Sequence, residues 1–167
     1  MAAGITYEPI ATTTLSTSSA SVTFSSISGS YTDLVFVSTA KLVSGTAGMQ
    51  LQFNGDTASN YGNVFLYGDG SSIGSVQNGT ATSINFHYGA YLDSTNWAVQ
   101  IGQIMNYSKT TTYKTVVNRD GSAPTGTDAI VGMWRDTSAI TQIVVKTGNA
   151  NIYAAGSTFT LYGIAAA

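Results

Sequence analysis

The sequence predicts an all-β protein, an antiparallel β-sandwich. Three observations carry that expectation. Apolar and polar residues alternate with a period of two, most sharply in Met49-Gln50-Leu51-Gln52-Phe53-Asn54 and again through Thr158-Phe159-Thr160-Leu161-Tyr162-Gly163. Successive side chains on a strand point to opposite faces, so such a pattern sorts one set to a core and the other to water. Turn-forming clusters recur between these runs, and Ser and Thr make up about a quarter of the chain, against a usual composition led by Leu, Ala and Gly. No run of helical periodicity separates the strand-like segments, so a parallel α/β arrangement has no crossover helices to use.

The first strand is expected at 6–12, where Pro9 marks an edge or a bulge because proline donates no ladder hydrogen bond. Strands follow at 21–27, 34–42, 49–54, 63–67, 82–88, 97–105, 113–118, 129–134, 141–146 and 158–164. Ser28-Gly29-Ser30, Ser44-Gly45-Thr46, Asn54-Gly55-Asp56, Gly68-Asp69-Gly70, Asn78-Gly79, Asp120-Gly121 and Gly148-Asn149 supply the turns. Segments 12–20, 68–80 and 121–128, the last with Pro124, read as surface loops. The one helical turn is expected at 57–61. Leu34, Phe36, Met49, Leu51, Phe53, Val99, Ile101, Ile143, Val145, Phe159 and Leu161 are the expected core, with Trp134 at the core or its rim. The 167 residues suit a single domain spanning 1–167, with 1–10 as an N-terminal arm.

Composition narrows the function. Only 8% of the residues are charged, the formal net charge is −2, and six Lys and Arg form no basic stripe, so phosphate-driven nucleic-acid binding is not expected. No cationic amphipathic stretch or spanning apolar run points to a membrane. No basic start followed by an apolar run marks a secretory signal. With no Cys and one His, a conventional structural zinc site lacks ligands. His87 is expected as an exposed strand or interface residue, sharing a face with Asn85 and opposite Ile84, Phe86 and Tyr88. The single Glu and seven Asp include no marked pair for acid–base work. Asp56 and Asp69 lie in glycine-rich turns whose carboxylates read as turn chemistry rather than as a calcium loop. The expectation is therefore no catalytic, metal or cofactor site, and no clustered carboxylates.

The aromatic residues are the remaining signal. Tyr88, Tyr91 and Trp97 gather around one loop, and Tyr61, Phe65 and Tyr67 around another segment. Tyr and Trp combine a flat apolar face with a polar handle, which suits interfaces and sugar platforms as well as cores.

Four phrases add a resemblance: Tyr7-Glu8-Pro9-Ile10-Ala11, Tyr31-Thr32-Asp33-Leu34-Val35-Phe36-Val37, Phe53-Asn54-Gly55-Asp56-Thr57-Ala58-Ser59-Asn60-Tyr61 and Gly156-Ser157-Thr158-Phe159-Thr160-Leu161-Tyr162-Gly163-Ile164. Together, and in this order, they resemble small virion structural proteins of tailed phages, cyanophages included. Segment 70–127 carries least of it. The resemblance implies a non-enzymatic capsid decoration, or cement, protein with a jelly-roll-like sandwich, on the outside of the virion and made in the host cytoplasm. It binds the major capsid protein and assembles as a homo-oligomer, in this reading a trimer. The stand-alone length favours a decoration protein over a tail fibre. The alternative is a receptor- or carbohydrate-binding module of the tail or baseplate. Partner contacts are expected at Ile5, Tyr7, Glu8, Pro9, Tyr88, Tyr91 and Trp97.

Overall fold

A computed structural model describes residues 6–88, 92–122 and 125–165. The described chain is an antiparallel β-sandwich. Its strands are β1 (Tyr7–Thr14), β2 (Ser21–Phe24), β3 (Asp33–Ala40), β4 (Thr46–Ala47), β5 (Met49–Phe53), β6 (Tyr61–Gly68), β7 (Ile73–Ala81), β8 (Ile84–Asn85), β9 (Leu92–Asp93), β10 (Ala98–Met105), β11 (Lys114–Ser122), β12 (Gly126–Trp134), β13 (Ile143–Thr147) and β14 (Thr158–Ile164). One sheet has eight strands in the order β1-β14-β3-β10-β11-β12-β6-β7; the facing sheet has four, β2-β13-β5-β8; β4 and β9 form a small pair. A jelly roll divides eight strands over two sheets; here the division is eight, four and two.

Pro9 lies where the sequence places it. β1 is an edge strand, and its pairing with β14 slips between Pro9 and Ala11. Of the expected N-terminal arm, 7–10 is therefore part of the sheet edge, and 1–5 lies outside the described residues. Segment 68–80, expected as a loop, is mostly β7, hairpinned onto β6. Gly and Ser soften its alternation, so the hydrophobic pattern is faint, yet the long sheet still pairs it. The expected helical turn at 57–61 is a run of bends leading into β6. Asp120-Gly121 is not a turn: β11 and β12 pair through Asp120 to Ser122, so only a few residues connect them. Pro124 lies outside the described residues.

The core joins the two sheets. Leu34, Phe36, Met49, Leu51, Phe53, Ile143, Val145, Phe159 and Leu161 are fully buried, as their alternation predicts, and Trp134 is core. Phe24 and Phe36 meet edge to face across the sheets, with ring centroids 6.4 Å apart. Phe53 meets Trp134 in the same manner at 5.6 Å.

Val99 and Ile101 correct the core expectation. They are 52% and 37% exposed, on the outer face of the long sheet. β10 instead turns Ala98, Gln100, Gly102 and Ile104 inward. A Cβ on Gly102 would stand 2.7 Å from the ring of Phe86, and one on Gly132 of β12 would stand 2.7 Å from Ile84. The two glycines leave gaps, and the 84–86 segment fills them. Apolar weight along β10 favours the other face, but shape decides.

Asp56 anchors the opposite corner. Its carboxylate accepts hydrogen bonds from the Trp134 indole N–H at 2.7 Å, from Asn60 Nδ2 at 3.0 Å and from the Ala58 N–H at 2.9 Å. Its carbonyl accepts from the Tyr61 hydroxyl, which itself accepts from the Phe53 N–H. Asn54 Oδ1 likewise accepts from the Thr141 and Gln142 N–H groups, and Asp69 Oδ1 from those of Ser71 and Ser72. These are the turn roles expected of Asn and Asp.

Replacing Gly132 by Val should overpack against Ile84 and cost about 1–3 kcal/mol in urea unfolding, whereas Phe53→Ala should cost about 3–5 kcal/mol. An unchanged midpoint for Gly132→Val would mean that the sheets do not approach so closely. Burial pulls the Asp56 carboxyl upward, but the bonds from Trp134, Asn60 and Ala58 outweigh it and hold its pKa below the usual value. A depressed carboxyl stabilises above its unfolded pKa and loses that contribution as pH falls through the folded one. The melting temperature should therefore drop below about pH 4, and Asp56→Asn should flatten part of that drop; an identical acid limb in the variant would count against the role of Asp56.

Candidate functional site

The segment from Ser83 to Tyr88 crosses the inner face of the long sheet. Only Ile84 and Asn85 pair as a strand, so the other backbone groups need partners elsewhere. Side chains of the long sheet supply several. Asn63 Nδ2 of β6 donates to the Ser83 carbonyl at 3.0 Å, and Asn63 Oδ1 accepts from the Asn85 N–H at 3.0 Å. Asn118 Nδ2 of β11 donates to the Phe86 carbonyl at 3.2 Å. Asp128 Oδ2 of β12 accepts from the Tyr88 N–H at 2.9 Å.

This crossing buries His87, which is 3% exposed. The expectation of an exposed histidine is corrected. Strand alternation stops at Asn85, so Phe86 and His87 can both turn inward. His87 Nδ1 stands 3.4 Å from Asp120 Oδ1, and His87 Nε2 stands 3.1 Å from Gln100 Nε2. The Ser38 hydroxyl donates to Gln100 Oε1.

The expectation of no clustered carboxylates is corrected too. Asp120 and Asp128 sit directly opposite each other on β11 and β12. Both are buried, and with His87 they form a group whose ligand atoms lie within 4.8 Å of one another. Asn118 Nδ2 donates to Asp120 Oδ2 at 3.2 Å. Burial pushes the Asp128 carboxyl up to about 6; the Tyr88 N–H opposes the rise, Asp120 adds to it, and His87 opposes it. Among the described residues, no Lys or Arg forms an ion pair with either carboxylate. The signal was present in Asn118-x-Asp120-x-Ser122, which keeps one face of β11 with the buried Val116. It was masked because Asp120-Gly121 has turn chemistry.

β11 holds a second buried charge. Lys114 is fully buried, and its Nζ donates to the carbonyls of Lys109, Thr112 and Thr137 at 2.7, 2.8 and 3.0 Å. Burial lowers its pKa, with Asp136 opposing. The three carbonyls close the loops beside it, a structural role.

The expected partner residues are dispersed. Tyr7, Glu8 and Pro9 are exposed on the β1 edge. Tyr7 reaches a groove on the outer face with Val35, Ile101, Gln103 and Val117. Tyr88 is half-buried, stacked on Tyr67 at 4.6 Å and tilted against Phe65 at 5.2 Å. Trp97 is 43% exposed, with Lys41 Nζ 5.1 Å from its ring centroid. Ile5 and Tyr91 lie outside the described residues.

The expected list misses the outer face of the long sheet. Val99 and Ile101 of β10, Val117 of β11, Val131 and Met133 of β12, and Val64 and Leu66 of β6 are all exposed there. Their registers join them into rows, Val117 to Val131 to Val64 and Arg119 to Ala129 to Leu66. Among the described residues, no helix is long and apolar enough to cross a membrane.

No protein-family model matches the chain, and no curated protein matches it. Among solved structures, a marine PL-14 alginate lyase from Aplysia kurodai aligns with a TM-score of 0.35 at 9% identity, over 82% of this chain and 70% of that one. A protein of unknown function from Shewanella oneidensis MR-1 aligns with a TM-score of 0.22 at 10% identity, over 85% of this chain and 62% of that one. Likenesses this loose transfer no activity.

Replacing His87 by Ala should lower stability by about 1–3 kcal/mol, because it strips a buried polar network of one member. Urea unfolding measures this; a loss near zero would restore the exposed histidine.

Proposed function

We propose that this chain is a non-enzymatic virion protein, a capsid decoration protein that docks through the outer face of its long sheet. The observation that supports the docking face is the set of exposed apolar side chains on one face of the long sheet, Val99, Ile101, Val117, Val131, Met133, Val64 and Leu66. A soluble monomer rarely leaves contiguous apolar rows uncovered, and such a patch with a polar rim marks an interaction surface. Gln77, Gln103 and Thr115 border the rows through direct cross-strand pairing. Arg119 is the one cation within them.

The resemblance to phage virion proteins directs this face toward the major capsid protein and toward neighbouring copies in a homotrimer. A sheet edge at β1 also invites a neighbour, because among the described residues no strand pairs with its outer side. Tyr7 links that edge to the apolar face. The tail carbohydrate-binding alternative draws less support, since the rings of Tyr67 and Tyr88 stack on each other and Lys41 lies over Trp97.

Val131→Asp places a charge in the middle of the apolar rows without entering the core. It should weaken co-sedimentation with undecorated phage heads at least tenfold and leave the melting temperature nearly unchanged. Unaltered head binding would remove this face from the proposal. Binding of the unmodified protein to tails instead of heads would transfer the chain to the receptor-binding reading.

A further inference from the structure

We propose that His87, Asp120 and Asp128 form a binding site for one divalent cation of the zinc–manganese class, which staples the crossing segment to β11 and β12. Three observations converge on it. The ligand atoms of the three side chains gather within 4.8 Å although the residues come from three separate elements. All three are buried. Among the described residues, Asp128 Oδ1, Asp120 Oδ1 and Asn118 Oδ1 are buried without a hydrogen bond, and a buried, unsatisfied carboxylate oxygen is costly unless something pairs it.

Charge gives the same answer. Two carboxylates face each other across a hairpin with no Lys or Arg ion pair among the described residues. A divalent cation balances both at once, whereas a single proton balances one. The spacing also fits. The 3.4 Å between His87 Nδ1 and Asp120 Oδ1 is longer than an ordinary hydrogen bond. Two ligands at about 2.0–2.1 Å from a tetrahedral ion stand roughly 3.3–3.4 Å apart. One imidazole among oxygen donors favours zinc or manganese over magnesium or calcium, which prefer all-oxygen shells.

The residues around the histidine hold it for this task. With Nδ1 on the cation, Nε2 carries the proton and donates to the Gln100 amide oxygen. The amide nitrogen then donates to Ser38 Oγ, whose own proton reaches Met49 Sδ, 3.7 Å away. This uses the turned orientation of the Gln100 amide, a choice the hydrogen-bond network sets. An outer partner that fixes a ligating imidazole is the usual companion of such sites. Asp128 is held at its other oxygen by the Tyr88 N–H. His87 lines a surface groove together with Gln50, Phe65, Asn85 and Tyr88.

The test uses the full chain after chelator treatment. Zinc and manganese salts, each alone, should bind near one equivalent by calorimetry and raise the melting temperature. Calcium and magnesium at the same concentrations should do neither. Asp128→Asn and Asp120→Asn keep the side-chain shape and remove charge; each should weaken zinc binding at least tenfold. Cobalt added to the unmodified protein should give visible absorption bands that zinc displaces, a reading independent of any variant's folding. Absence of stoichiometric zinc and manganese binding, with no cobalt bands, would overturn the site and leave a proton-sharing cluster. Equal zinc affinity in the folded Asn variants would place the ion elsewhere and overturn it too.

Discussion

Ile84 and Phe86 press into two gaps left by glycines in the long sheet, and much of the molecule follows from that contact. Gly132 and Gly102 have no Cβ to keep the crossing segment away. The segment carries β8 at the edge of the four-stranded sheet and lies against the inner face of the long sheet, held by side chains of β6, β11 and β12. Its backbone departs from regular pairing, so Asn63, Asn118 and Asp128 must reach up to it. A polar inner face on the long sheet is thus the counterpart of an irregular segment above it. Asn63 and Asn118 bond that backbone, and Asp128 bonds it while joining the His87 cluster.

The same contact sets the outer surface. Once Gly102 and Gln100 face inward, period-two geometry forces Val99 and Ile101 outward. The apolar weight of β10 then lies on the solvent side, the same face that carries Val117 and Val131. Eight strands covered by four leave a broad second face, and here that face is apolar where a solvated sheet is ordinarily polar. Packing inside and binding outside are two consequences of one strand orientation.

The two buried charge sites on β11 differ in what completes them. Lys114 meets three carbonyls from loops and needs nothing further. Asp120 and Asp128 meet each other, His87, the Asn118 amide and the Tyr88 N–H, and among the described residues each keeps an oxygen without a hydrogen bond. A cation with a full set of acceptors is a structural plug. Carboxylates lacking enough donors invite a cation, which is why the second site, and not the first, has a ligand-binding reading.

Alternation alone determined the fold class and much of the core. The core of β5, β13 and β14 was legible because each strand has one clearly apolar face, and Pro9 marked its edge because a missing N–H is a local property. Turn chemistry at Asn54, Asp56 and Asp69 was legible for the same reason. What only the tertiary structure decided were facts set by distant shape. Val99 and Ile101 belong to the outside because Phe86, far away in sequence, needs the space above Gly102. His87 is buried because strand pairing stops two residues before it. Asp120 became a core residue rather than a turn because the hairpin closes beyond it and sets Asp128 opposite. Periodicity reports which residues share a face, but which face meets the core depends on the neighbour that fits against it.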